Sequence, residues 1–327
     1  FSQGINPKGK GYYGKTFYYQ TPLNAKAVKS NFYDSIKKVN SFIKKEKKDL
    51  LLSKTKSEIC VGLYKPYFYT ELTNSQLLKE KRLDVEKLGL SLDPRFVRED
   101  LFFNGLLRGL QTLNFNYDIS DLENTSLESL LKYKQLWIVT TEFMDSKTQL
   151  LLANYIKAGG HLIMYPALPT KDLYLNPCMV LKQELKIEFS KSVSPNKVNA
   201  FGIEDLFTIF KDKQVFADND SDVVAITESD EVCGIKKKVG KGVITLLGFA
   251  FGYSSDEHLH LYEKLVALDK IKRQAKVSDS DIQFVIRKGK KSSYLFLLNY
   301  HNQKKTFTVD SKKTVLSPFS YKVIKKN

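Results

Sequence analysis

The stretch 136-LWIVTTEFMDSKTQLLLANYIKAGGHLIMYP-166 decides the fold of this 327-residue chain. Residues 136–140 form an apolar run that predicts a buried strand, and residues 161–165 predict a second one. Between them a helix is expected, and the pair Gly159-Gly160 ends it. Strands that alternate with helices indicate parallel strands joined by crossover helices.

The same alternation extends on both sides of this stretch. Residues 57–72 predict a buried strand, and the stretch that starts at residue 93 predicts a helix that Asp93 caps and Pro94 begins. In that helix Gly105 and Gly109 lie one turn apart, where the backbone could approach strands closely. Residues 116–122 and 223–229 then read as short strands, and "SDEHLHLYEKLVAL" (255–268) reads as a helix.

Two segments depart from the alternation. "GIKKKVGKGVITLLGF" (234–249) predicts a hairpin that turns at residues 239–242. From residue 276 onwards, closely spaced period-two strands and turn residues predict a small antiparallel β module without a helix. The fold class is therefore α/β, a doubly wound, mainly parallel sheet over residues 56–275 followed by an antiparallel β domain over residues 276–327.

The charge of the chain suggests a nucleic-acid partner but the pattern of charges does not. The formal net charge is +16, yet only six of the 52 basic residues are arginine, the residue that reads bases best. Over residues 28–50, Phe32, Ile36, Val39 and Ile43 recur at helical spacing, which puts the lysines between them on a solvated face. We expect no nucleic-acid partner.

Cysteine usage and hydropathy suggest a location. Cys60, Cys178 and Cys233 lie far apart and form no C-x-x-C pair, which indicates free thiols in a reducing, cytoplasmic compartment. An extracellular protein with unpaired cysteines is the alternative. No apolar run is long enough to span a bilayer, and the beginning has no signal-peptide layout, so we expect no membrane partner.

A catalytic constellation is not evident after residue 55. The residues that follow the two central strands, "TTEFMDS" and "PALPTKD", lack the glycine-flanked elbow that a serine or cysteine nucleophile needs. All three cysteines read as buried structural thiols. His258 and His260 are two residues apart on a helix and point in different directions. Two histidines that bind one metal ion from the same helix face are four residues apart. We expect no metal and no cofactor.

A resemblance accompanies these patterns. The stretches 93–122 and 136–178, the hairpin and helix over 240–265 and the tail "SYLFLLNYHNQKKTFTV" (293–309) resemble the C-terminal half of β-galactosidases of glycoside hydrolase families 35 and 42. The resemblance implies the end of a (β/α)8 barrel over residues 1–55, then a flavodoxin- or amidotransferase-like domain over 56–275, then the small β domain.

The opening "FSQGINPKGKGYYGKTFYYQTPL" (1–23) then resembles the last barrel loop, which lies at the rim of a sugar site. By this resemblance Asn6, Phe17 and Tyr19 are implied substrate-binding residues. Phe17 lacks the hydroxyl of the family's sugar-contacting tyrosine, and Tyr18 and Gln20 stand where the family has aspartates. An aromatic face at position 17 could still stack on a sugar ring.

The two catalytic carboxylates of a retaining galactosidase precede this loop in the family, and Glu142 and Glu204 match neither role. The expected function is therefore the accessory and assembly portion of a β-galactosidase-like enzyme, inactive alone. The implied partners are a catalytic barrel, a galactoside-type sugar and further subunits of a homo- or hetero-oligomer. The alternatives are a stand-alone carbohydrate- or partner-binding protein, and an amidotransferase-like enzyme with a non-standard site.

Overall fold

A computed structural model describes Lys29, residues 33–69, Leu92, Val97 and residues 102–253, 255–279 and 281–326. The chain divides into two compact units. The first comprises residues 1–55, 286–296 and 323–327, and the second comprises residues 56–285 and 297–322. The domain limits at residues 55 and 275 stay predictions.

The described elements are short and numerous. The helices are α1 (Tyr33–Leu51), α2 (Pro66–Tyr69), α3 (Phe103–Thr112), α4 (Leu127–Leu130), α5 (Ser146–Lys157), α6 (Val180–Leu185) and α7 (Asp256–Ala267). The strands are β1 (Lys54–Thr55), β2 (Ile59–Leu63), β3 (Tyr117–Asp121), β4 (Gln135–Val139), β5 (His161–Tyr165), β6 (Phe189–Val193), β7 (Lys197–Ala200), β8 (Ile203–Phe207), β9 (Asp212–Phe216), β10 (Asp222–Thr227), β11 (Val232–Val239), β12 (Gly242–Leu247), β13 (Ile282–Lys288), β14 (Ser293–Asn299), β15 (Lys305–Val309), β16 (Lys312–Leu316) and β17 (Ser320–Lys326).

The second unit contains a nine-stranded mixed sheet in the order β3-β2-β4-β5-β12-β11-β10-β7-β8. Its first five strands are parallel neighbours, and the remaining pairs are antiparallel. The predicted α/β class is correct, but the prediction of a mainly parallel sheet is wrong for the second half. Short turns join the strands there, and a short turn can only connect antiparallel neighbours.

The predicted hairpin over residues 234–249 is confirmed. Strands β11 and β12 pair from Gly234 opposite Leu247 to Val239 opposite Gly242. Gly240 turns the chain with a φ of +61°, a conformation that costs glycine little.

The parallel half is buried on both faces. Every residue of β4 and of β5 is buried, which explains their continuous apolar runs. Helix α5 begins where Asp145 accepts a hydrogen bond from the Thr148 amide at 2.9 Å, and it ends before Gly159, whose φ is +120°. The predicted strand, helix and strand over 136–165 are confirmed.

Helix α3 differs from the prediction in the neighbour that Gly109 approaches. Its described part begins at Phe103, and Asp93 and Pro94 lie outside the described residues. Gly109 permits a close approach, but to helix α7 rather than to a strand. A Cβ atom on Gly109 would lie 2.7 Å from the Tyr262 ring.

The first unit contains α1, and part of the predicted apolar face of this helix is exposed. Ile36 and Ile43 are half-buried, Val39 is 39% exposed, and Phe32 lies outside the described residues. Phe42 packs edge-on against Phe296 at 6.2 Å between ring centroids. The lysines whose burial is described on α1 are exposed, as the sequence predicts.

Asp49 anchors α1 within this unit. Its carboxylate accepts hydrogen bonds from the Lys291 and Ser292 amides and from the Tyr294 hydroxyl, each at 3.1 Å. The carboxylate leaves no room for a Cβ atom at Gly289, which would come within 2.5 Å of it. The turn between β13 and β14 is thus built around Asp49.

The tail consists of strands, as predicted. Strands β13, β14 and β17 lie with β1 in a sheet of order β1-β13-β14-β17, while β15 and β16 form a separate antiparallel pair. No helix occurs among residues 281–326.

Candidate functional site

The natural place for a ligand is the carboxyl edge of the parallel strands. Along the parallel half, the strand order β3-β2-β4-β5-β12 reverses between β2 and β4. In open α/β sheets, ligands bind in the crevice outside the carboxyl ends of the strands at such a reversal.

Large side chains fill this crevice. Tyr64 follows β2 directly, and its ring meets the ring of Tyr67 edge-on at 4.8 Å. Tyr67 in turn meets Phe143, which follows β4, at 5.2 Å. The Tyr67 hydroxyl donates to the Phe143 carbonyl at 2.9 Å, and both tyrosines are nearly fully buried. Among the described residues, aromatic side chains therefore pack together at the edge of the sheet where the strand order reverses.

Asp145 completes the closure. It accepts a hydrogen bond from the Tyr64 hydroxyl at 2.7 Å and from the Thr148 hydroxyl at 2.7 Å. Burial by itself would raise the pKa of Asp145, but the hydrogen bonds from Tyr64 and Thr148 outweigh burial and lower it. Burial raises the pKa of Tyr64. Asp145 is therefore an ionised cap of α5.

A pocket lies beside the closed crevice, at the carboxyl ends of β4, β5 and β12. It measures about 300 Å³ out to its open mouth. The residues that line it are Leu92, Glu142, Pro166, Ala167, Lys191, Asp212, Lys213, Gln214, Gly248 and Ala250.

Glu142 is the buried carboxylate of this pocket. Its Oε1 lies 2.6 Å from the Lys191 Nζ, and its Oε2 accepts a hydrogen bond from the Leu92 amide at 3.2 Å. The Glu142 side chain is 4% exposed and the Lys191 side chain 51%. The ion pair ties the residues that follow β4 to strand β6.

Lys213 and Gln214 are also committed to the protein. The Lys213 ammonium donates to the carbonyls of Phe210 and Lys211 at 2.6 and 3.1 Å. Burial lowers the pKa of Lys213. Gln214 exchanges two hydrogen bonds with the backbone of Leu168, at 2.8 and 3.3 Å. These partners make the pocket a structural junction between the parallel strands of the sheet and the separate antiparallel pair of β6 and β9.

A second polar cluster lies at the amino edge of the sheet. His161 Nδ1 is 2.5 Å from Asp269 Oδ2, and His161 Nε2 is 2.9 Å from Thr245 Oγ1. Gln135 donates to the same Asp269 oxygen at 2.6 Å. The order carboxylate, histidine and hydroxyl resembles a catalytic triad, but Thr245 is fully buried within β12. The cluster fastens the end of α7 to the sheet.

The cysteines partly match their prediction. Cys60 and Cys233 are buried in strands, and burial raises the pKa of each thiol to about 12. The prediction is wrong for Cys178, which is only half-buried. The buried Gln149 donates to the Cys178 carbonyl at 3.1 Å and to its Sγ at 3.4 Å.

The two histidines of α7 are separated, as predicted. His258 is buried, whereas His260 is exposed and lies 3.7 Å from Glu263. No group of three potential ligands that could hold a metal ion occurs among the described residues. Glu204 is exposed on the edge strand β8.

The predicted sugar-binding residues Asn6, Phe17 and Tyr19 lie outside the described residues. Among the helices that the structure describes, none combines the length and the apolar composition needed to cross a bilayer.

Sequence reasoning missed the residues that shape both edges of the sheet. Tyr64, Asp145 and Lys213 were not singled out, nor was the contact of His161 with Asp269. Position supplied a signal for two of them, because Tyr64 and Asp145 follow closely after predicted strands. For Lys213 no local signal exists.

The sequence is similar to a family model and to two enzymes of known name. Residues 86–223 match a family model described as the second domain of GLMA-like proteins. A β-1,2-glucosyltransferase from Ignavibacterium album is 61% identical over the whole chain, which covers 47% of that protein. An exo-β-D-glucosaminidase from Pyrococcus horikoshii is 29% identical over 90% of the chain and 37% of that protein. The chain thus spans less than half the length of these relatives.

The fold has counterparts among solved structures. A family 42 β-galactosidase from G. stearothermophilus superposes with a TM-score of 0.75 at 14% identity, over 97% of this chain and 46% of that one. At this identity the likeness concerns the fold alone. The β-galactosidase resemblance therefore holds at the level of fold, while the relatives with higher identity carry glucosyltransferase and glucosaminidase names. The chain has a mixed α/β fold that it shares with glycoside hydrolases.

Proposed function

We propose that this chain is the non-catalytic portion of a longer carbohydrate-active protein that transfers or releases β-linked glucosyl-type units. The main support is the 61% identity to a β-1,2-glucosyltransferase along the entire chain. This chain covers 47% of that protein. The catalytic carboxylates, in this proposal, belong to the remaining part.

The state of the buried carboxylates supports a non-catalytic role. Glycosidases use two carboxyl groups that face a sugar from opposite sides. Asp145 caps a helix, Glu142 pairs with Lys191, and Asp218 pairs with Lys237. Each of these carboxylates serves the fold, and the crevice between β2 and β4 is packed with aromatic rings.

The partly exposed apolar face of α1 supports a further packing partner within the longer protein. Ile36 and Ile43 are half-buried, and Val39 is 39% exposed. Apolar residues at this spacing normally face a core. In the proposal, residues 1–55 form the last unit of a (β/α)8 barrel whose other units cover this face.

The finer fold assignment is also part of the proposal. The parallel strands follow the order second, first, third, fourth, fifth, which is the order of flavodoxin-like sheets. We assign residues 56–275 to a flavodoxin-like domain that has lost its ligand crevice. Its role in the longer protein is assembly, and the expected homo- or hetero-oligomer belongs to the same proposal.

The sugar is proposed to be glucosyl rather than galactosyl. The two hexoses differ only in the configuration at C4, so a fold shared with β-galactosidases does not choose between them. The 61% identical relative bears a β-1,2-glucosyltransferase name, whereas the β-galactosidase likeness is at 14% identity. Asn6, Phe17 and Tyr19 are the proposed contribution of this chain to the rim of the site.

The test uses the longer protein, made from the complete reading frame at the native locus. It is incubated with a β-1,2-linked glucose oligosaccharide, a nitrophenyl β-galactoside and a nitrophenyl β-glucosaminide, and the products are separated by chromatography. We expect longer and shorter β-1,2-linked products from the first substrate. Efficient turnover of the galactoside alone would contradict the choice of sugar. A reading frame no longer than this chain would contradict the proposed division of roles.

A further inference from the structure

His258 occupies an unusual place in the first turn of α7. Its amide donates to the capping Ser255 hydroxyl at 3.3 Å, which starts the helix. The imidazole is buried and lies near the rings of Phe207 and Phe251, with centroid distances of 6.5 and 6.2 Å. Neither ring titrates or carries a charge.

Both ring nitrogens of His258 are committed to backbone groups. Nε2 lies 2.7 Å from the Phe207 carbonyl oxygen, which can only accept, so Nε2 carries the proton. Nδ1 lies 3.4 Å from the Gly252 amide, which can only donate, so Nδ1 accepts. The two bonds together select one neutral tautomer.

Protonation is incompatible with this arrangement. A second proton on Nδ1 would point at the Gly252 N–H, so one of the two donors must move. Burial lowers the pKa of His258, while the Phe207 carbonyl and the charge of Glu257 act against burial. Glu257 lies on the same helix, and among the described residues strand β8 brings Phe207 to the ring and the 251–252 segment brings Phe251 and Gly252.

The segment that contains Gly252 also forms a wall of the pocket. Gly248 and Ala250 line it. The Gly248 carbonyl accepts from the Gln214 amide at 2.8 Å, and the Ala250 carbonyl accepts from the Ile209 amide at 2.9 Å. The bond from Gly252 to His258 closes this series at its end nearest α7.

We propose that His258 is an acid-sensitive latch, whose protonation releases the segment 251–253 from α7 and loosens the wall of the pocket at the carboxyl edge of β12. Protonation changes Nδ1 of His258 from a hydrogen-bond acceptor to a donor, and this change requires no ligand. It is independent of the proposed function, because it depends only on contacts within the second unit.

The test is hydrogen exchange of the full chain, followed by mass spectrometry at about pH 7.5 and about pH 5 and corrected for the intrinsic pH dependence of exchange. Peptides that cover residues 248–256 should show protection that falls by about tenfold or more at the lower pH. Peptides from β4 and β5 should not change. Equal protection of residues 248–256 at both pH values would overturn the proposal.

Two variants separate the latch from general acid sensitivity. His258→Gln keeps a donor for Phe207 and an acceptor for Gly252 but does not titrate, so its protection should be the same at both pH values. His260→Gln changes the exposed histidine two residues along the same helix and should behave like the unchanged chain. If His258→Gln fails to fold, the His258 titration observed by NMR in the unchanged chain must coincide with the loss of protection, and a separation of more than about one pH unit would refute the latch.

Discussion

The Tyr64 hydroxyl lies 2.7 Å from Asp145 Oδ2 and also accepts a hydrogen bond from the Asp145 amide at 3.0 Å. This pair joins the carboxyl end of β2 to the start of α5, across the point where the strand order reverses. Together with the ring contacts of Tyr64, Tyr67 and Phe143, this pair packs the edge of the sheet where the strand order reverses.

Removing the Tyr64 hydroxyl tests this closure. We expect Tyr64→Phe to lower the free energy of unfolding by about 1–3 kcal/mol, because Asp145 loses a donor and its amide loses an acceptor in a part-buried site. Urea denaturation followed by circular dichroism measures the change. Tyr174→Phe is the matched control, since Tyr174 is 86% exposed. Equal stability of the two variants would contradict the assigned role of Tyr64.

The ion pair of Lys237 with Asp218 provides a second test. Their Nζ and Oδ2 atoms are 2.6 Å apart, and the side chains are only 10% and 5% exposed. We expect Lys237→Met to cost about 3–5 kcal/mol, because Asp218 is left as a buried, unpaired charge. Urea denaturation measures this loss in the free energy of unfolding.

The neighbouring lysine supplies the control for this pair. Lys238 is exposed on the same strand, so Lys238→Met should change stability by no more than about 0.5 kcal/mol. The double variant Lys237→Met/Asp218→Leu should recover much of the loss. If the single variant Lys237→Met is as stable as the unchanged chain, the ion pair of Lys237 with Asp218 does not stabilise the fold.

Gly109 tests the packing of α3 against α7. Alanine in a helix is normally about 1 kcal/mol better than glycine. At Gly109, however, a Cβ atom would lie 2.7 Å from the ring of Tyr262, which is fully buried and bonded to the Tyr165 hydroxyl at 3.3 Å. We expect Gly109→Ala to destabilise the protein by about 1–3 kcal/mol. A rise in the melting temperature would show that the ring can move.

The contacts of Asp269 predict how the stability of the protein changes at acidic pH. Burial would raise the pKa of Asp269, but hydrogen bonding and the charge of His161 outweigh burial and lower it below 3.8. A lowered pKa in the folded state gives stability that is complete above the ordinary pKa and is lost as the pH falls through the folded value. The stability advantage of the unchanged chain over Asp269→Asn should therefore be constant above about pH 5 and shrink below about pH 4.

Urea denaturation of both proteins across this range measures the difference. Asp281 also has a lowered pKa but lies elsewhere in the chain, beside Lys305, so Asp281→Asn serves as the comparison for a surface pair. An advantage that stays constant down to the lowest pH would show that His161 does not stabilise the ionised form of Asp269.

Local patterns in the sequence were enough to predict several elements of the fold. The strands over 136–140 and 161–165 were predictable because parallel strands are buried on both faces and read as continuous apolar runs. The hairpin turn at Gly240 and the end of α5 at Gly159 were predictable because both need conformations that glycine favours.

Features made by distant residues were not predictable. Gly109 faces Tyr262 across 153 residues (262 − 109), and no pattern near Gly109 names its neighbour. The antiparallel strands β6 to β9 are only four or five residues long, so they carry weak periodicity. The sealed crevice depends on Tyr64 and Asp145, which are 81 residues apart. The contact of Cys178 with Gln149 is equally non-local.

The most direct test of the central proposal compares turnover by the pure 327-residue chain with turnover by the longer protein. Both are incubated at equal molar concentration with a β-1,2-linked glucose oligosaccharide and a nitrophenyl β-glucoside. We expect products only from the longer protein, because the catalytic carboxylates are proposed to lie outside this chain. Turnover by the 327-residue chain alone, abolished by a point substitution within it, would contradict the proposal.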